Sequence, residues 1–287
     1  MAIRKDKKSR LKAGRPPTLH RQQTSLSKRT TSSTIRTYHQ LSKDLARAEA
    51  NDQQEEAAGL KQRLADLGGL EFYQSASIQG QANDRGGDSS ILLMDWLANM
   101  KPTLSNLARR PKLLEVGALS TTNACSRSGL FDIVRIDLHS QAEGIIQQDF
   151  MDRPLPVGNI DRFDIISLSL VLNFVPSPLG RGEMLKRTCQ FLTKNVAYDP
   201  SSQAQHCLPA LFLVLPAACI VNSRFMSEDH FTSMMTSLGY ALLQRKQTSK
   251  LIYYLWMLRD QGVPTMFAKK EINPGRNRNN FSIVLEP

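Results

Sequence analysis

From residue 112 onward the chain repeats one pattern: an apolar run of about four to eight residues, a polar or helix-length segment, then another apolar run. "KLLEV" (112–116), "FDIVRIDL" (131–138), "GIIQQDF" (144–150), "FDIISLSL" (163–170) and "PALFLVLP" (209–216) read as strands. Between and after them, "GRGEMLKRTCQFLTK" (180–194) and "SEDHFTSMMTSLGY" (227–240) read as helices. Strands that are apolar at nearly every position are buried on both faces, which requires an α/β fold: a mostly parallel sheet with helices on both sides. The last two runs, "ALLQRKQT" and "LIYYLWMLR", are separated only by Ser249 and Lys250. So short a link excludes a crossover, and these two strands must pair antiparallel.

The charge is as uneven as the patterning. Of the formal net charge of +11 on 287 residues, residues 1–33 carry ten Lys/Arg against one Asp, so the rest of the chain is close to neutral. That tail has too few apolar residues to fold alone and reads as a disordered basic tail. It is either a nuclear or nucleolar address that also touches RNA phosphates, or a solubilising extension. Residues 34–69 follow as a helical extension, with Ile35, Leu41, Leu45, Ala48, Leu60, Leu64 and Leu67 at helical spacing and a weak middle, "NDQQEE", that can split it in two. Residues 70–287 form the main domain. Its polar opening, "YQSASIQGQANDRGGDSS", is either a loop that closes over a ligand or a connector, and Asp88 or Ser89 can cap the helix "ILLMDWLANM" after it.

No segment has the roughly 18 consecutive apolar residues that span a bilayer, and no apolar signal core follows the N-terminal charges. A soluble intracellular protein, without a membrane partner, is expected. Cys125, Cys189, Cys207 and Cys219 form no C-x-x-C pair and have no histidine at metal spacing, so reduced thiols are expected and no metal site.

A doubly wound sheet binds its ligand outside the carboxyl ends of its strands. The informative residues stand there: Glu115 and Gly117 after the first strand, Asp137 after the second, Asp149 after the third, and Ser169 to Asn173 after the fourth. Gly117 lets backbone approach a ligand closely. Asp137 follows it by twenty residues, the offset at which a carboxylate takes both ribose hydroxyls. Asp149 with Phe150 can accept from an adenine amino group and pack on its ring. In "GALSTTN" the later glycines of a dinucleotide loop are replaced by Leu119 and Thr122, which disfavours a pyrophosphate. S-adenosylmethionine, which has no phosphate, tolerates that replacement.

With "LLEVGA", "IDLH", "QQDF" and "FDIISLSLVLNFVP" in order, the chain resembles a Rossmann-like, seven-stranded class I S-adenosylmethionine-dependent methyltransferase. The segments "YQSASIQGQANDRGGDSS", "LEVGALSTTNACS", "VLPAACIVNSR", "KLIYYLW" and "PGRNRNNFSIVL" together resemble the fungal 25S rRNA adenine-N1 methyltransferase family. That resemblance implies a nucleolar enzyme acting on an adenine of large-subunit rRNA, free or in a pre-ribosomal particle, during ribosome maturation. A monomer is expected. Animal relatives of the family act as S-adenosylmethionine sensors through protein partners, so a sensor is the alternative reading.

If the chain is the enzyme, Asn173 and Phe174 follow the fourth strand where the reactive methyl should point and are the candidates for holding the base, although Asn173 also suits a turn or cap. "NSR" (222–224) follows the fifth strand, and Arg224 either pairs with a phosphate or steadies a surface loop. Lys269, Lys270, Arg276 and Arg278, against the single Glu271, are the candidates for meeting the RNA backbone.

Overall fold

The computed structural model describes residues 51–69, 87–140, 142–194, 207–259, 262 and 265–287, with parts of 33–49. What was expected of residues 1–32 and 70–86 lies outside the described residues. Seven strands, β1 Lys112–Val116, β2 Asp132–Asp137, β3 Ile146–Gln147, β4 Ile165–Ser169, β5 Ala210–Pro216, β6 Tyr240–Gln247 and β7 Leu251–Leu258, form one sheet in the order β3-β2-β1-β4-β5-β7-β6. The first five are parallel, and β7 runs antiparallel to both neighbours. The β6–β7 hairpin is the one that the two-residue link requires. The third strand keeps only two residues of the expected seven, because Gly144 sits in a turn and Phe150 folds down into the core.

The described helices are α1 Gln54–Asp66, α2 Ser90–Trp96, α3 Lys101–Ser105, α4 Ala124–Ser128, α5 Pro178–Phe191, α6 Ala218–Val221 and α7 Glu228–Ser237. Alternating residues of the sheet feed two cores. Leu211, Leu213 and Leu215 of β5 pack with Leu185 of α5, Ile220 of α6 and Phe231 of α7. Ala210, Phe212 and Val214 face the other way, toward Leu93 of α2, Leu104 of α3 and Cys125 of α4. Fully burying a leucine or isoleucine contributes about 1.5–3 kcal/mol, so strands loaded on both faces hold the layers together. Burial also pushes the thiol of Cys125 up to about 12, and those of Cys189 and Cys207 to about 11, which keeps them protonated at neutral pH.

Two further parts complete the chain. In the helical extension the chain breaks at Asn51 to Gln53, where Asp52 takes a φ of 54°, and Leu41 and Ala48 pack across the break on Ala57 and Leu60. The weak middle therefore does split the extension, whose apolar stripe closes on itself. At the other end, residues 265–287 run as a strap over α5 and α6. Alternating Phe281, Ile283 and Leu285 enter the core, and the Val284 amide donates to the Pro178 carbonyl at 3.0 Å. A side chain on Gly182 would put its Cβ 1.8 Å from the Val284 oxygen, so helix and strap touch backbone to backbone.

The amino ends of the strands are fastened by Asp164, 1% exposed, just before β4. Its carboxylate accepts from both terminal nitrogens of Arg109 (2.6 and 3.0 Å) and from the Lys112 amide (2.7 Å). Removing the carboxylate leaves the Lys112 amide unmet, while the half-exposed Arg109 can turn to water. Asp164→Ala is expected to lower stability by about 1–3 kcal/mol in urea unfolding. A loss under about 1 kcal/mol would show that water replaces the carboxylate readily.

Candidate active site

The β1 strand ends at Gly117, which takes a φ of 73°. Its amide and that of Ala118 both donate to the Ile136 carbonyl, at 2.9 and 3.1 Å, pinning the turn to β2. A Cβ on Gly117 would lie 2.6 Å from Cγ2 of Val171, in the turn after β4. The described contact that demands glycine is therefore with the protein itself. Leu170, just before, takes a φ of 60°, a backbone conformation that costs a bulky residue about 1–3 kcal/mol and gathers at functional sites.

A polar network supports this turn from beneath. Glu115, 7% exposed, faces Arg135 in the β1–β2 register, with 3.5 Å between Oε2 and the guanidinium Nε; neither atom has a hydrogen-bond partner among the described residues. Asn123 donates to Glu115 Oε1 at 2.6 Å and caps α4 by accepting from the Ser126 amide at 2.9 Å. Arg135 also donates to Ser126 Oγ at 2.7 Å. Burial raises the Glu115 carboxyl above its ordinary range, opposed by Asn123 and Arg135.

The residues before α2 reach the same edge. Asp88 accepts from the Ser90 amide and hydroxyl (2.9 and 2.6 Å) and, through its other oxygen, from the Ala124 amide of α4 (2.6 Å). Asp88 thus makes the bond expected of a cap and one more across the site. Ser89 Oγ lies 2.8 Å from Ser169 Oγ at the end of β4.

The expected site residues divide into three groups. Gly117, Asp137, Asp149, Asn173 and Phe174 all lie at the carboxyl edge, on β1 to β4. Asp137 Oδ1 accepts from the His139 amide (2.9 Å) and Asp149 Oδ1 from the Met151 amide (2.7 Å). Phe174 closes its turn by donating its amide to the Val171 carbonyl (2.8 Å), and the half-buried Asn173 has a buried Oδ1 with no partner among the described residues. Glu115 lies beneath the edge and belongs to the support.

One expectation is corrected and another is narrowed. Phe150 is 2% exposed, with its ring 5.2 Å from that of Phe191 and Arg187 over it, so it has no face to offer an adenine. The nearby Leu138, 59% exposed beside Asp137, is the apolar surface at that place. Arg224 donates to the Gly275 carbonyl (3.0 Å) and stands 3.7 Å from Glu271, which fits the loop-steadying one of its two readings. Ser223 beside it is fully buried on the Phe281 carbonyl.

The third group lies on the strap. Lys269, Lys270 and Arg276 are exposed, with the Lys269 ammonium 4.5 Å from the Phe225 ring, while Arg278 is half-buried along Gly275. This part of the strap lies beside residues 222–225, which follow α6. The Glu115–Arg135 pair was readable as two charges in apolar strands; the Asp88 bridge and the Leu170 backbone had no such signal.

Among the described residues no helix is long and apolar enough to cross a membrane, and no cluster of three His, Cys, Asp or Glu stands ready for a metal. The strand order, the glycine turn after β1 and the carboxylates ending β2 and β3 define a class I, Rossmann-like methyltransferase.

Comparison with known proteins narrows the class. Residues 58–283 match the model of the 25S rRNA (adenine(2142)-N(1))-methyltransferase family, Bmt2, and the chain belongs to that family. It is 41% identical over 254 residues to the 25S rRNA adenine-N(1) methyltransferase of Schizosaccharomyces pombe, covering 87% of this chain and 89% of the relative. It is also 41% identical over 222 residues to the 25S rRNA (adenine(2142)-N(1))-methyltransferase of Saccharomyces cerevisiae, covering 76% of this chain but 60% of that protein's length. A solved 16S rRNA methylase, RmtB, aligns with 79% of this chain and 90% of its own at 11% identity and a TM-score of 0.40, too distant to bear on function.

A pH test follows from Glu115. A folded carboxyl raised above its unfolded value binds more protons than the unfolded chain, so its contribution to stability is full below that value and fades as pH rises through the folded one. Thermal melts of wild type and Glu115→Gln, which keeps an acceptor for Asn123, should therefore diverge with pH. Wild type should lose stability relative to the variant as pH climbs above the ordinary carboxyl value of about 4. A constant difference would show that Glu115 is not raised.

Proposed function

We propose that this chain transfers the methyl group of S-adenosylmethionine to N1 of an adenine in large-subunit ribosomal RNA, as its relatives' names describe for them. The family match carries this reading, because it spans both the carboxyl edge and most of the strap. The sensor alternative finds no support, since both relatives are named as enzymes.

The edge fits the cofactor. The Gly117 turn leaves backbone without a side chain at the end of β1, Asp137 suits the two ribose hydroxyls, and Leu138 supplies an apolar face beside it. When bound, S-adenosylmethionine would supply a sulfonium methyl that neutral adenine N1 can accept without a general base, with S-adenosylhomocysteine as the leaving group. The protein's task is then alignment and exclusion of water. The Oδ1 of Asn173, without a partner among the described residues, suits the adenine amino group on the carbon next to N1, and Phe174 suits the ring itself. Lys269, Lys270, Arg276 and Arg278 meet the RNA backbone. We assign the basic tail the nucleolar address.

Asp137→Ala is the clean cofactor test, because a side chain on Gly117 would disturb Val171 as well. Calorimetry should show S-adenosylmethionine affinity reduced about 10- to 100-fold in Asp137→Ala. Asn173→Ala and Phe174→Ala should keep that affinity while losing most formation of N1-methyladenosine, scored by nucleoside mass spectrometry on large-subunit rRNA lacking the modification. Unchanged binding in the first variant would misplace the cofactor; full activity in the other two would remove them from the mechanism.

A further inference from the structure

The turn that carries Asn173 and Phe174 is held by a group outside the site. Arg181, on the first turn of α5, is 3% exposed. Its Nε donates to the Val175 carbonyl at 2.9 Å and one terminal nitrogen to the Pro176 carbonyl at 3.0 Å. The other terminal nitrogen crosses to the Ser282 carbonyl of the strap at 2.6 Å, and the guanidinium lies 4.6 Å from the Phe281 ring. These partners are three main-chain carbonyls and an aromatic face, none of them acidic.

Burying a cation without a carboxylate is an expensive way to fill a core, and an apolar side chain of the same size packs there at less cost. A planar fork does what an apolar residue cannot: it fixes several carbonyls in set directions at once. Two of those carbonyls lie two and three residues beyond Asn173. The third lies four residues beyond Arg278, on a strap that cannot slide because Val284 rests on Gly182.

Resting on the reading above, we propose that Arg181 is a positioning residue that sets the base-holding turn after β4 and couples it to the RNA-facing strap. Seating of the strap on RNA and alignment of the adenine then depend on one rigid junction.

Two variants test it. Arg181→Met keeps the bulk and removes the fork; Arg181→Lys keeps the charge but presents one compact donor group. In both, kcat per S-adenosylmethionine-binding molecule should fall by about 100-fold in Arg181→Met and incompletely recover in Arg181→Lys, with cofactor affinity unchanged. A kcat within about twofold of wild type in molecules that bind the cofactor would overturn the proposal, since a merely structural role predicts loss of folded protein alone. Amide exchange of the free protein separates this from failure of the enzymatic reading. Even if wild type methylates no RNA, exchange at residues 173–175 and 282–285 should rise together in Arg181→Met, with β1 and β2 unchanged. A rise in only one segment, or in neither, would refute the coupling. If Arg181→Met does not fold, Arg181→Lys decides by the same two measurements.

Discussion

The contact between Gly117 and Val171 sets the carboxyl edge of the sheet. With a hypothetical Cβ only 2.6 Å from Val171, the two turns can meet only because one of them has no side chain, and the φ of 73° there adds a second demand for glycine. Because β1 and β4 are neighbours, this meeting brings the turn after the first strand against the turn that carries Asn173 and Phe174. Leu170, just before Val171, takes a left-handed backbone, and Asp137 ends the neighbouring strand β2, with Leu138 directly after it.

Around that contact the protein is stiffened by polar groups where ligand chemistry alone would not require them. Glu115, Arg135 and Asn123 brace the glycine turn from below, and Asp88 ties α2 to α4. On the other side the strap is stitched to the residues after β5 by Asn273, Asn279 and Arg224, whose partners are almost all main-chain carbonyls. The exposed Lys269, Lys270 and Arg276 are thereby carried on a segment fixed to the residues after β5.

The fold was legible in the sequence because its strands are apolar on both faces and their spacing admits few topologies. The two-residue link at Ser249 and Lys250 specified the hairpin, although the insertion of β7 between β5 and β6 left no local mark. The site was half legible. Gly117, Asp137 and Asn173 were picked because strand ends are where a doubly wound sheet binds ligands, and they do lie at one edge, but burial depends on tertiary packing. Phe150 therefore looked like a site aromatic and proved to be core, while the contacts of Arg224 favour the loop-steadying one of its two readings. The alternation in "FSIVL" already marked the strap as a packed element, but the basic residues before it drew the reading toward RNA contact alone.

The central claim is that one edge holds the cofactor with its reactive end toward the Asn173–Phe174 turn. A crystal structure with S-adenosylhomocysteine, the product left after methyl transfer, tests it most directly. The account predicts the ribose on Asp137, the chain passing the Gly117 turn, and the sulfur facing Asn173. A cofactor bound elsewhere, or one whose sulfur points away from that turn, would contradict it.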